Sequence, residues 1–275
     1  MGEFGEWWRS FLRIPWLRTV LSIVCLLAVM YVSGLVHVWS DYRSSKYPKG
    51  FQIRDLGWEL LPFIQFVQIA NVWLGFAVVA TWSMLLAYYV MLPHRLAHIL
   101  RRVMWLLAGL FALRALCILV TTEPLPPRAG GDGGLYTPSN AGLGALLIMF
   151  GARSSGSDLI FSGHTVVFVV HGCLWWTYLF GERHYGIPDW VRFLYAVAAS
   201  AFCAIGPLFM VAVRWHQTVD VVLGATLSLC AYYIYHGMVR DHRHWASLLA
   251  WLDATPRELL QAPPKSMKVI GTQIV

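Results

Sequence analysis

The hydrophobic positions of the chain gather into six long runs, which are separated by polar stretches that contain Gly and Pro. A helix needs about 20 apolar residues to cross a bilayer, and the runs are of about that length or longer. The second run is long for one crossing, which is typical of a helix that tilts or extends beyond the bilayer. The pattern predicts an all-α polytopic membrane protein with six transmembrane helices, over residues 20–39, 62–92, 103–121, 159–180, 191–213 and 219–238.

The composition excludes a soluble globular protein. Hydrophobic residues make up 58% of the 275 residues and charged residues only 13%, whereas soluble domains carry about 25% charged residues. The high apolar content also excludes a disordered chain. The five cysteines lie within apolar runs and show no Cys-x-x-Cys or Cys/His spacing that is typical of zinc, so we expect free, packed thiols.

The basic residues predict the orientation in the membrane. The chain has 21 Lys and Arg against 14 Asp and Glu, and the basic residues flank the apolar runs, which indicates membrane anchoring and not nucleic-acid binding. Thirteen of them share a side with both termini and seven lie on the opposite side, so the positive-inside rule places both termini in the cytosol. We expect a cytosolic N-terminal segment (1–19), a six-helix membrane catalytic domain (20–238) and a cytosolic C-terminal tail (239–275).

The longest connection, residues 122–158, is rich in Gly and Pro. Such a stretch cannot cross lipid with its backbone groups unpaired, so we expect it outside the bilayer or folded over its surface. Its apolar patch, residues 145–150, predicts a short interfacial helix that covers the site.

Three ionisable residues fall on one face of the predicted membrane domain. His164 lies in a Ser-Gly-His-Thr stretch at the outer end of the fourth crossing. His216 lies between the fifth and sixth crossings, and Asp220 follows it by four residues. Residues four apart on a helix share a face, so we expect Asp220 to reach one ring nitrogen of His216. The carboxylate would fix the tautomer and leave the other nitrogen free for chemistry.

The Ser-Gly-His stretch is typical of a phosphate-binding site. Unpaired N–H groups and the dipole favour an anion at the start of a helix, and Ser162 and Gly163 allow the backbone to approach it closely. The residues indicate a phosphate held between two histidines, of which one attacks phosphorus and the other protonates the leaving oxygen.

Plainer interpretations of the same residues stay open. A single histidine at a membrane interface is usually a polar anchor. His216 and Asp220 are also spaced as a metal pair, although no third and fourth ligands are evident. Arg114 lies inside the third run and is either a contact to a lipid phosphate or head group, or an arginine that snorkels or pairs with a structural carboxylate.

Four stretches form recognisable motifs. Residues 156–165 read Gly-Ser-Asp-Leu-Ile-Phe-Ser-Gly-His-Thr, and residues 216–221 read His-Gln-Thr-Val-Asp-Val. They resemble the third and fourth motifs of the sphingomyelin synthase branch of the lipid phosphatase superfamily, with Gly-Ser in place of Cys-Gly and Gln217 in place of Tyr. Residues 101–126 are similar to the second motif, and the stretch 55–62 is the counterpart of the first.

The resemblance implies a reaction and roles for the matched residues. A phospho-head-group (phosphocholine, phosphoethanolamine or phosphoinositol) is transferred from a glycerophospholipid to ceramide, and diacylglycerol is released. His216 would be the nucleophile, Asp220 would orient it, and His164 would protonate the leaving group and later deprotonate the ceramide hydroxyl. The predicted substrate-binding residues belong to the same motifs: Asp158, Ser162, Gly163 and Arg114.

The resemblance also implies partners and a location. The partners are the membrane lipids ceramide, glycerophospholipid donor and diacylglycerol, while no cofactor, metal or nucleic acid is implied and a homo-oligomer is left open. The family implies an integral protein of the Golgi or plasma membrane, with its active site on the lumenal or extracellular face.

Three alternatives to a ceramide phosphotransferase stay open. The first is a lipid phosphate phosphatase with water as acceptor. Such phosphatases usually carry Pro before Ser-Gly-His and Arg six residues before the second His, where this chain has Phe161 and Met210. The second is a choline-phosphotransferase that acts on diacylglycerol, and the third is a membrane scaffold without activity. The motifs do not select the head group, because pocket shape and a few polar contacts decide it.

Overall fold

Helices make up the part of the chain described by the computed structural model, which covers residues 15–44, 46, 54–66, 68–89, 93–121, 140–150, 160–180 and 188–240. Within these ranges there is no strand, which confirms the predicted all-α class. The helices are α1 (Pro15–Ser44), α2 (Leu56–Leu60), α3 (Ile69–Tyr89), α4 (Pro93–Val120), α5 (Ala141–Met149), α6 (Gly163–Leu174), α7 (Asp189–Ala212) and α8 (Thr218–Arg240). A π-helical turn, Trp175–Phe180, continues α6.

Among the described residues, five helices are long and apolar enough to cross a membrane, namely α1, α3, α4, α7 and α8. They expose large hydrophobic side chains, such as Phe76 on α3 and Val222 on α8, and contiguous apolar surface of this kind is typical of contact with lipid. The predicted crossing at 159–180 corresponds to α6 and its π-helical turn. The α-helix of this segment has 12 residues and is by itself too short for a span.

The long second run contains an extended link and a helix. Asp55 caps the preceding helix α2, where its side chain accepts a hydrogen bond from the N–H of Trp58 at 3.0 Å. Leu61 is extended, as expected of a residue that precedes a proline, here Pro62. The helix α3 begins only at Ile69. The excess length of the run therefore comes from the link that precedes the helix.

Helix α6 lies at the centre of the bundle. It packs against α3, α4, α7 and α8, and nine of its 12 residues are buried. A helix that is mostly apolar and packs against several neighbours is typical of the interior of a bundle. The Ser-Gly-His stretch at its start is consequently held by neighbouring helices.

Helix α1 packs along α4 and against α5. The apolar patch at 145–150 does form part of a short helix, which begins earlier than predicted, at Ala141. A β-carbon on Gly34 of α1 would lie 2.7 Å from the carbonyl oxygen of Ala145 and 2.9 Å from its Cα. The two backbones are thus in direct contact, an arrangement that small residues allow between helices.

We expect Gly34→Ala to lower the apparent melting temperature of the protein in detergent, because the added methyl group collides with backbone and not with a movable side chain. Overpacking of this kind typically costs about 1–3 kcal/mol. Gly109→Ala on α4 is the matched control, since its β-carbon meets nothing within 4 Å and alanine favours a helix. Equal melting temperatures for the two variants would contradict the proposed helix contact.

Candidate active site

The start of α6 positions His164. Ser162 is the N-cap, and its Oγ accepts a hydrogen bond from the N–H of Thr165 at 3.3 Å. His164 is therefore the second residue of the helix, as the sequence predicted. Ser162 is fully buried, so its contacts in this structure serve the helix start. Its predicted contact to a substrate stays a prediction.

Glycines allow neighbouring groups to approach this turn. A β-carbon on Gly163 would lie 3.3 Å from Nε of Arg114, and one on Gly224 of α8 would lie 3.1 Å from the carbonyl oxygen of Ser162. Both distances are tighter than side chains normally adopt, so α4 and α8 reach the Ser-Gly-His turn because these positions lack side chains.

His216 lies in the tight turn between α7 and α8. Arg214 adopts a left-handed conformation with φ of 60°, which is common where a helix ends. The N–H groups of Trp215 and His216 both point back to the carbonyl oxygen of Met210, at 3.1 and 3.3 Å. The reversal places the imidazole of His216 in the interior, where its side chain is 3% exposed.

Asp220 faces His216 from the first turn of α8. Its Oδ2 lies 3.6 Å from Nδ1 of His216 and accepts a hydrogen bond from the N–H of Gln217 at 2.9 Å. The predicted pair therefore forms, but the prediction that both residues share one face of a helix was wrong. His216 precedes α8, and the turn brings it to the carboxylate. With Nδ1 directed at Asp220, Nε2 is the ring nitrogen on the opposite side.

The two histidines come together. The ring centroids of His164 and His216 lie 6.2 Å apart at an interplanar angle of 61°, and Trp215 packs 5.8 Å from His164. In addition, the N–H of Ser162 donates to the carbonyl oxygen of Asp220 at 3.2 Å. The structure thus brings together His164 from the start of α6, His216 from the turn after α7 and Asp220 from the first turn of α8, at one end of the bundle.

Asn71 at the start of α3 contacts His164 and was not predicted as a site residue from the sequence. Its Oδ1 lies 3.1 Å from Nε2 of His164, while its Nδ2 donates to Oε1 of Gln68 at 3.0 Å. An amide oxygen only accepts, so this contact places a proton on Nε2 of His164. The signal in the sequence was the third of three amides, after Gln65 and Gln68, near the beginning of an apolar run.

Arg114 lies beneath the Ser-Gly-His turn. Its Nε donates to the carbonyl oxygen of Phe161 at 2.5 Å, and one terminal nitrogen lies 2.6 Å from Nε2 of His37 on α1. The side chain is buried. These contacts make Arg114 a support of the turn, whereas its predicted contact to substrate stays a prediction. Asp158, the remaining predicted binding residue, lies outside the described residues.

Helix α2 and its N-cap are hydrogen-bonded to the turn that carries His216. The carboxylate of Asp55 accepts hydrogen bonds from the N–H of Thr218 at 2.7 Å and from its hydroxyl at 2.6 Å. The indole N–H of Trp58 donates to the carbonyl oxygen of His216 at 3.1 Å, and Arg214 donates to the carbonyl oxygen of Trp58 at 2.6 Å. Both sides of His216 are therefore fixed by one short helix within the stretch 55–62.

No group of three or more His, Cys, Asp or Glu side chains in the described ranges is arranged to hold a metal ion. The donors near His216 are the single carboxylate of Asp220 and the imidazole of His164 at the distances given above.

We expect Asp55→Asn to lower the melting temperature in detergent by several degrees. The amide cannot accept both hydrogen bonds from Thr218, and a hydrogen bond to a charged group typically contributes about 1.5–3 kcal/mol. The matched control is Glu59→Gln on the same helix, which removes only an exposed ion pair with Arg54, worth about 0–1 kcal/mol. If both variants melt at the wild-type temperature, the hydrogen bonds between Thr218 and Asp55 do not stabilise the fold.

A comparison with protein families covers the same part of the chain as the site. Residues 156–237 match the model of the family described as PAP2 superfamily C-terminal. The match begins shortly before the Ser-Gly-His stretch and includes His164, His216 and Asp220.

A comparison with characterised proteins extends over most of the chain. It is 25% identical over 270 residues to phosphatidylcholine:ceramide cholinephosphotransferase 1 of Caenorhabditis elegans, and the alignment covers 88% of this chain and 53% of that protein. The chain thus spans about half the length of this relative. Together the two matches confirm that the chain resembles the sphingomyelin synthase branch of the lipid phosphatase superfamily.

Proposed function

We propose that this protein is a ceramide phosphotransferase, similar to sphingomyelin synthase. It moves a phospho-head-group from a glycerophospholipid to ceramide and releases diacylglycerol. The proposal rests on the proximity of three side chains. Oδ2 of Asp220 lies 3.6 Å from Nδ1 of His216, and the ring centroids of His216 and His164 lie 6.2 Å apart. All three residues belong to the segment that matches the family. The similarity to a ceramide cholinephosphotransferase supports the same acceptor.

In the first step His216 is the nucleophile. Its Nε2 forms a bond to phosphorus while the bond from phosphorus to the diacylglycerol oxygen breaks. Asp220 holds Nδ1 and stabilises the positive charge that the ring acquires. His164 gives a proton to the diacylglycerol oxygen. Because Asn71 holds the Nε2 side of His164, Nδ1 of His164 is the nitrogen that gives this proton.

In the second step the acceptor enters. Nδ1 of His164 takes the proton of the ceramide hydroxyl, the hydroxyl oxygen bonds to phosphorus, and the bond from phosphorus to His216 breaks. Both catalysts return to their starting states, so the cycle needs no external oxidant or reductant. Water in place of ceramide would complete a phosphatase reaction at the same residues, and diacylglycerol in its place would give head-group exchange between glycerolipids.

We propose six crossings with both termini in the cytosol, the division into segments 1–19, 20–238 and 239–275, and a site on the lumenal or extracellular face of the Golgi or plasma membrane. The positions of the site residues support an even number of membrane crossings. His164 at the start of α6 and His216 after the end of α7 lie together, while α7 is long enough to span. The chain between them must therefore return to the opposite face along α6 and its π-helical turn.

The reaction is tested with purified protein in liposomes that contain ceramide and, separately, phosphatidylcholine, phosphatidylethanolamine or phosphatidylinositol. We expect a new phosphosphingolipid and diacylglycerol in equal amounts, and the productive donor identifies the head group. Phosphate released from lipid phosphates without a ceramide product would replace the proposal with a phosphatase. Inactivity with every donor would favour the scaffold.

We expect His216→Ala to reduce turnover by at least about 1,000-fold at an unchanged melting temperature, because loss of a nucleophile removes most of the rate enhancement. The control is His98→Ala on α4, a histidine that contacts Arg101 one turn further along the same helix, and it should keep wild-type turnover. Full activity of His216→Ala would eliminate the proposed nucleophile.

The orientation is tested with N-glycosylation acceptors of the form Asn-x-Ser/Thr, inserted into residues 122–139 or into the tail at 241–275. Glycan is attached only on the lumenal side. We expect a mass increase for the insertion at 122–139 and none for the insertion in the tail. The reverse result would invert the proposed orientation.

A further inference from the structure

A buried histidine on α1 contacts the arginine that lies beneath the Ser-Gly-His turn. Nε2 of His37 lies 2.6 Å from a terminal nitrogen of Arg114, and both side chains are buried. A guanidinium group carries hydrogen-bond donors and no acceptor, so the arginine donates and the imidazole accepts. His37 is therefore a neutral imidazole whose proton lies on Nδ1.

The contact with His37 fixes the plane of the guanidinium group. Nε of Arg114 donates to the carbonyl oxygen of Phe161 at 2.5 Å, and the N–H groups of an arginine point in fixed directions relative to one another. A second acceptor on a terminal nitrogen removes the rotation that remains about the first hydrogen bond. The orientation of the group is consequently set by α1 as well as by the turn before α6.

The peptide group between Phe161 and Ser162 is held on both sides. Its carbonyl oxygen accepts a hydrogen bond from Arg114 at 2.5 Å, and its N–H donates to the carbonyl oxygen of Asp220 at 3.2 Å. A peptide group is planar, so hydrogen bonds on its two sides define its orientation. His164 follows this group by two residues, while Asp220 belongs to the other half of the candidate site. The peptide group therefore sets the position of one half of the site relative to the other.

We propose that His37 is a positioning residue for the transfer reaction. It holds Arg114 in the orientation that fixes the peptide group before the Ser-Gly-His turn, and so keeps His164 at its distance from His216. The inference rests on the proposed function. His37 touches no reacting atom in this mechanism, and its contribution to the rate passes through Arg114.

Loss of the acceptor at position 37 would reorient Arg114. A buried donor without an acceptor is costly, so the guanidinium group would turn toward other acceptors and no longer hold the carbonyl oxygen of Phe161 in the same direction. A displacement of about 1 Å at a reacting group lowers a rate by up to about 100-fold. The lipid substrates would still bind, because His37 is not in contact with them in this mechanism. The effect therefore falls on kcat and not on KM.

The test compares His37→Leu, which has no acceptor, with His37→Gln, whose side-chain oxygen replaces Nε2. In liposomes with ceramide and the productive donor, we expect His37→Leu to lower kcat at least about tenfold, which corresponds to about 1.4 kcal/mol, at unchanged KM for both lipids. His37→Gln should recover most of this loss. Ser33→Ala is the matched control and should keep the wild-type kcat. Ser33 is buried one turn earlier on α1, and its hydroxyl has no hydrogen-bond partner among the described residues. Wild-type kcat for His37→Leu overturns the inference.

A second pair of variants avoids the change from a polar to an apolar side chain. His37→Asn is as polar as His37→Gln, but its shorter side chain does not reach Arg114. We expect a kcat about tenfold lower for the Asn variant than for the Gln variant, and equal values overturn the inference even where the Leu variant fails to fold.

A spectroscopic measurement does not depend on activity. The protein is labelled with ¹⁵N-histidine, and the imidazole signals that disappear in His37→Gln are assigned to His37. We expect a neutral ring with its proton on Nδ1, and a proton on Nε2 overturns the inference. The expected signal in a wild-type protein that transfers nothing to ceramide would reject the proposed function but keep the contact between His37 and Arg114.

Discussion

The site depends on one buried carboxylate, that of Asp220. Its side chain accepts the N–H of Gln217 and faces Nδ1 of His216, while its backbone carbonyl accepts the N–H of Ser162. A single residue thus joins the turn after α7, the start of α8 and the start of α6. An ionised group without water is costly unless it is fully paired, so the positions of the surrounding donors are tightly restricted.

Three residues outside the third and fourth motifs support the site from neighbouring helices. Arg114 holds the carbonyl before the Ser-Gly-His turn, Asn71 holds one side of His164, and Asp55 holds the helix that follows His216. Each comes from a different helix of the N-terminal half, whereas the proposed catalytic residues come from the C-terminal half. The family match at 156–237 therefore covers the proposed reacting groups but not the residues that contact them from the N-terminal half.

The sequence predicted the features that depend on residues close together in the chain. Apolar runs predicted the helices, and the Ser-Gly-His stretch predicted a helix start, because caps and hydrophobicity act over a few residues. The extended link before α3 follows from Pro62 but is hidden in an apolar run. Asn71 and Asp55 could not be predicted as site residues, since their partners lie 93 and 163 positions away. Packing of distant helices creates those contacts, and no local pattern marks them.

Three helices, α3, α6 and α8, begin at the site, as the contacts among Asn71, His164 and Asp220 require. Each contributes a partial positive charge at its first turn, so their fields add beside His164 and His216, where the proposed mechanism places the phosphodiester. Backbone dipoles do not titrate. This part of the attraction for an anion is therefore the same at every pH.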